Sequence, residues 1–98
     1  MIAEYLSTGR HNARTGHELA DIIGCNIRDV TEQIEKERRK GQPICATTDR
    51  EHPGYYLAAT ADELQRYCAQ LHKRAGAIHK TRRALLQTAQ TLPAEQEA

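Results

Sequence analysis

At 98 residues the chain has room for one small domain with about thirty residues to spare, and it buries one modest core at most. It contains no Trp and no Phe, so that core must be assembled from Leu, Ile, Val, Ala and the four Tyr. Fourteen Lys and Arg against 13 Asp and Glu give a net charge of +1, which excludes overall charge as a guide to polyanion binding.

The distribution of charge says more. Residues 1–60 carry 8 basic and 9 acidic side chains, residues 61–98 carry 6 and 4, and between Leu64 and Ala94 there is no acid. Three cysteines, an odd number at no recurring spacing, predict thiols in a reducing compartment. The opening "MIAEYLSTGR" lacks a basic-then-apolar leader, and no apolar run approaches the roughly 20 residues of a membrane span. A cytoplasmic protein without membrane contact is expected.

In chain order, a first short helix is predicted over about Ile2 to Ser7, burying Ile2, Ala3 and Leu6 and stopping near Gly9. Thr15 with Glu18 fits a capping box, in which the threonine oxygen takes a backbone N–H and the glutamate reaches back to the cap. It starts a helix over about Gly16 to Ile23 with Leu19, Ala20 and Ile23 inward, closed by Gly24. Asn26 with Asp29 is a weaker cap for a helix from Ile27 to Lys40, ended by Gly41. The period then changes. "PICAT" and "GYYLA", joined by the six residues "TDREHP", alternate as strands do and predict a hairpin, with Tyr55 and Leu57 on one face and Tyr56 and Ala58 on the other. Pro43, without an N–H, belongs at the start of an edge strand.

From Thr60, capped with Glu63, a helical period persists for some thirty residues until Pro93. Leu64, Leu71, Ile78, Leu85 and Leu92 fall seven apart, and Cys68, Ala75, Arg82 and Ala89 complete the 3-4 spacing of a coiled-coil seam. Such a helix is about 45 Å long, more than a small domain covers. The expectation is self-association along these five residues to give a homodimer. Residues 93–98 are expected to form a disordered tail.

The order helix, helix-turn-helix, hairpin resembles the winged helix-turn-helix superfamily. The likeness is to the N-terminal winged helix of biotin-repressor-type regulators and to small prophage-encoded winged-helix proteins. It rests on "YLSTG", "TGHELADIIGCNIRDVTEQI", "RKGQPI" and "GYYLA", and covers about residues 1–59. Ala20, Gly24 and Val30 keep the helix-turn-helix spacing. The expected fold class is therefore mainly α with a small β-hairpin: a winged helix-turn-helix over 1–59, then a long dimerisation helix over 60–92. Gly24 would equally end an ordinary αα-hairpin in a small bundle, with Ala20 and Val30 as routine core.

The resemblance implies a sequence-specific double-stranded DNA-binding protein, a transcriptional regulator or an accessory DNA-organising factor, acting as a dimer. Its 27–40 helix would enter the major groove, with Asn26, Arg28, Asp29, Thr31, Glu32 and Gln33 toward base edges. Arg10, His11, Arg14, Lys36, Arg39, Lys40 and Arg50 would contact the backbone. Ile27 stands where such regulators often carry a polar or basic residue. The helix also nets only about +1, from five basic and four acidic residues. Either its acids pair along the helix, as Glu32–Lys36 and Glu35–Arg39, or the helix meets protein, as an adaptor in a phage or replication assembly. The basic residues Lys73, Arg74, Lys80, Arg82 and Arg83 of the long helix would either lie along flanking DNA or form a solvated face. Cys68 and His72 stand i,i+4 without a second pair at zinc spacing, so no metal is expected; nor is a cofactor, a small-molecule ligand or enzymatic activity.

Overall fold

The computed structural model describes residues 1–94, in which five regular elements follow one another: α1 (Gly16–Ile23), α2 (Ile27–Arg39), β1 (Ile44–Thr47), β2 (Gly54–Leu57) and α3 (Ala61–Ala89). Two 3-10 turns, Ala3–Tyr5 and Arg10–Asn12, come before them. The chain divides into two units, Met1–Tyr67 and the part from Cys68 onward. None of the helices among the described residues is long and apolar enough to cross a membrane.

The helices of the first unit begin where polar side chains can satisfy their opening amides. Thr15 Oγ1 accepts from Glu18 N–H at 3.0 Å while Glu18 Oε1 accepts from Thr15 N–H at 3.2 Å, a complete capping box. Asn26 Oδ1 accepts from Asp29 N–H at 2.8 Å. Between the two helices Gly24 takes a left-handed backbone, φ 81°, and its N–H closes on the Ala20 carbonyl at 2.8 Å. Thr60 Oγ1 accepts from Glu63 N–H at 3.2 Å, but Glu63 accepts from Ala59 N–H, one residue before the cap, so the box is not closed.

Leu19, Ala20, Val30, Ile34 and Ile44 form the main core with Ile2, Ala3 and Leu6. Each fully buried aliphatic contributes about 1.5–3 kcal/mol. Ile23, expected inward, is 39% exposed, as the last residue of α1 where the chain turns away at Gly24.

The first predicted helix is reduced to a single 3-10 turn, capped at its start by Glu37 and ended where the chain extends from Leu6 to pair with Leu57. Glu37, 1% exposed, accepts from Ile2 N–H at 2.7 Å and Ala3 N–H at 2.8 Å. After Leu6 the chain extends, and Ser7 and Gly9 pair with Leu57 instead (Leu57 N–H to Ser7 O, 2.9 Å; Gly9 N–H to Leu57 O, 3.2 Å).

The hairpin has the expected six-residue connection, with Ile44 opposite Leu57 and Thr47 opposite Gly54. The outer side of β2 is paired as well, since Arg14 and Tyr55 exchange both backbone bonds at 2.7 and 2.9 Å. Gly54 permits this approach, because a β-carbon there would overlap the Arg14 carbonyl. The strand alternation then sorts the faces. Tyr55 and Leu57 pack on the main core, whereas Tyr56 and Ala58 join a second cluster with Cys45 and Tyr67. Burial among these groups raises the Tyr56 hydroxyl above its ordinary pKa, with the neighbouring Cys45 and Glu63 adding to the effect.

Leu64 is half-buried against this second cluster, so it is occupied within the first unit rather than held for a partner. The first unit accordingly extends to Tyr67. α3 ends at Ala89, and Leu92 lies past it in a tightening turn, its N–H bonded to Ala89 O at 3.3 Å. The heptad register therefore does not continue to Leu92. Of the expected tail, residues 95–98 lie outside the described residues.

Candidate functional site

The first two turns of α2 follow directly from the Asn26 cap. With Val30 and Ile34 facing the core, the 3.6-residue period leaves Arg28 and Glu32 on the far side and Asp29 and Thr31 on the flanks, all exposed, with the cap residue Asn26 exposed at the helix end. Thr31 Oγ1 donates to the Ile27 carbonyl at 3.1 Å. Gln33 departs from the set. It is half-buried, and its amide donates to Glu37 Oε2 at 2.9 Å, so its donor is committed inside the fold and not to a base edge.

The four acids of α2 fall into three situations. Glu32 pairs with Arg28 at 3.3 Å and Glu35 with Arg38 at 2.9 Å, rather than with Lys36 and Arg39 as expected. Glu37 is buried. Burial alone would raise its pKa, but two backbone N–H groups, the Gln33 amide and the nearby N-terminal ammonium outweigh that and lower it. It is a cap supplied across 35 residues of sequence. Asp29 is exposed, its backbone N–H held by Asn26.

The basic side chains sort likewise. Arg38, which the sequence did not mark as special, is the most constrained. Its Nε donates to Ile44 O at 2.9 Å, Nη1 to Glu35, and Nη2 to the Tyr67 hydroxyl at 3.0 Å, with the guanidinium 5.4 Å from the Tyr67 ring centre. Lys36, Arg39, Lys40 and Arg50 are exposed and take part in no ion pair among the described residues. Arg28 is paired only by a surface contact in which both partners are open to water, a bond worth tenths of a kcal/mol that a competing acceptor displaces.

On the segment before α1, Arg10 donates from Nη2 to Thr47 Oγ1 at 3.0 Å and lies 3.9 Å from Asp49 Oδ2. The same Thr47 hydroxyl accepts from Asp49 N–H at 3.1 Å, and Asp49 Oδ1 from Glu51 N–H at 3.1 Å, so the hairpin loop and Arg10 are tied together. His11 lies against Gly9 beside Asn12, and Arg14 is half-buried where its backbone bridges to Tyr55.

A different surface flanks the α1–α2 turn. Ile22, Ile23 and Ile27 are 46%, 39% and 40% exposed, and a cleft of about 430 Å³ is lined by Met1, Tyr5, Ile23, Cys25, Asp29 and Gln33. No group of three or more His, Cys, Asp or Glu among the described residues is placed to hold a metal ion. In comparisons with known proteins, no family model, no curated protein and no solved structure matched the chain.

Proposed function

We propose that Met1–Tyr67 is a winged helix-turn-helix module that binds double-stranded DNA, with the first turns of α2 in the major groove and the β1–β2 hairpin as the wing. The element order, the left-handed glycine between α1 and α2, and the Arg14–Tyr55 pairing beside the hairpin support the fold assignment. The observation that carries the DNA reading is the disposal of the acids. Glu32 and Glu35 are paired and Glu37 is buried, which leaves Lys36, Arg39 and Lys40 on α2 with Asp29 as the one uncommitted acid. Arg28 is the base-reading side chain, exchanging Glu32 for guanine O6 and N7. Arg50, Lys36, Arg39 and Lys40 supply phosphate contacts, which makes binding steeply salt-dependent. Sequence-specific regulation or DNA organisation is the corresponding activity.

Titration of a labelled random duplex across a salt series tests this. Binding that weakens linearly in log–log form with salt is expected, and no binding at low salt overturns it. Lys36→Ala should weaken all sequences alike and reduce the salt slope by about one, whereas Arg28→Ala should erase preference among sequences. The exposed isoleucines at the α1–α2 turn favour a second reading, a protein-docking adaptor. Under it, Ile23→Ser or Ile27→Ser abolishes assembly with the partner while the duplex is ignored.

A further inference from the structure

From Cys68 to Ala89, α3 presents Ile78, Leu85 and Leu86 at 61%, 64% and 50% exposure. They share one continuous surface with Ala77 and Thr81, and the residues that border it include Arg74 and Arg82. The same stretch carries Lys73, Lys80 and Arg83, and it contains no Asp or Glu. Gly76 interrupts it, weakening the helix, and no ion pair among the described residues supports it. A helix of this kind, with an uncovered apolar stripe and no pairing along its length, is marginal in water by itself.

The heptad spacing makes a second copy the simplest cover, and the charges oppose it. A second copy would place Arg82 of each helix in the seam with Arg74 beside it, and between Leu64 and Ala94 neither copy has an acid to set against them. We infer that α3 beyond Tyr67 docks an amphipathic helix of a different protein, one with an apolar stripe flanked by glutamate or aspartate. Leucine-type side chains of that partner cover Ile78, Leu85 and Leu86. Its carboxylates pair with Arg74 and Arg82, which supplies both the specificity and the salt dependence of the contact. The inference concerns a different part of the chain from the DNA reading, and neither depends on the other.

The test uses the intact protein and two labelled four-heptad peptides with leucine at the a and d positions, one with glutamate at e and g and the other with lysine there. By fluorescence anisotropy at about 50 mM salt the glutamate peptide should bind at least tenfold tighter than the lysine peptide, and at about 500 mM salt the difference should shrink. Ile78→Ser with Leu85→Ser should abolish binding. Arg74→Glu with Arg82→Glu should reverse the preference, a result that misfolding cannot produce. Sedimentation of the protein alone should show a monomer at about 50 mM salt. A stable dimer there overturns the inference, as does indifference to the serine variants, displacement of the glutamate peptide by a random duplex, or binding to phosphatidylserine vesicles in place of the peptide.

Discussion

Up to Tyr67, acids are structural parts: Glu18 closes a cap, Glu37 holds two backbone amides, Asp49 shapes the hairpin loop, and Glu35 steadies Arg38. Past Tyr67, no acid occurs before residue 95 and every described residue is exposed. The first region uses most of these acids to hold its own backbone and side chains, and it closes its own core. The second has helical periodicity without the means to stabilise it. A polar side chain therefore carries very different weight on the two sides of Tyr67, and so does an apolar one.

The sharpest way to break that contrast is at Glu37. Glu37→Ala removes a buried carboxylate and orphans the amides of Ile2 and Ala3, so urea unfolding at neutral pH should show a loss of about 3–5 kcal/mol. A loss below about 1 kcal/mol would mean the N-terminal turn is not anchored there. Next comes Tyr67, the last residue of the first unit. Tyr67→Ala should cost about 3 kcal/mol by the same measurement, and Tyr67→Phe, which gives up only the Arg38 bond, about 1 kcal/mol.

Acid provides a graded version. Because the folded pKa of Glu37 lies below the ordinary 4.5, its contribution is complete above that value and is lost as pH falls through the lowered one. The urea midpoint of the native protein should therefore drop more steeply below about pH 4.5 than that of Glu37→Gln. Parallel acid limbs would remove Glu37 as the cause. The smallest effect belongs to the other region: Ile78→Ser and Leu85→Ser, at exposed positions, should leave the urea midpoint of the chain alone within about 0.5 kcal/mol. A larger loss would show that this stripe is already covered in the free protein.

Much of the first region was legible in the sequence, because its signals are local. Thr15 with Glu18 and Asn26 before Asp29 are caps that depend on a spacing of three, and both form. The alternation of Tyr55, Tyr56, Leu57 and Ala58 assigns their faces correctly. What failed to show was long-range. Glu37 reads as one more charge in a charge-balanced helix, although it continues the stripe of Val30 and Ile34, and that position was the available sign that it points inward. Arg38 gave no sign of its role, since two of its three partners come from β1 and α3. The predicted first helix fell short for the same reason, as the segment from Leu6 onward is drawn out to pair with Leu57. Leu64 and Leu92 kept the heptad spacing, but periodicity does not say which residues a neighbouring core has already taken or where the helix stops. For the exposed face of α2, the sequence identified Asn26, Arg28, Asp29, Thr31 and Glu32 as outward; it could not foresee the hydrogen bond that turns Gln33 inward.

The placement of the tyrosines has an experimental consequence. All four, Tyr5, Tyr55, Tyr56 and Tyr67, lie in the first unit, and the chain has no tryptophan. Ultraviolet fluorescence therefore follows the melting of Met1–Tyr67 alone, while most of the length of α3, and with it much of the far-ultraviolet dichroism, lies beyond Tyr67. Of two optical signals recorded on one sample, one thus follows the first unit alone and the other follows both. A dichroism transition that departs from the fluorescence one would reveal the distal helix melting on its own, without a label, a truncation or a substitution.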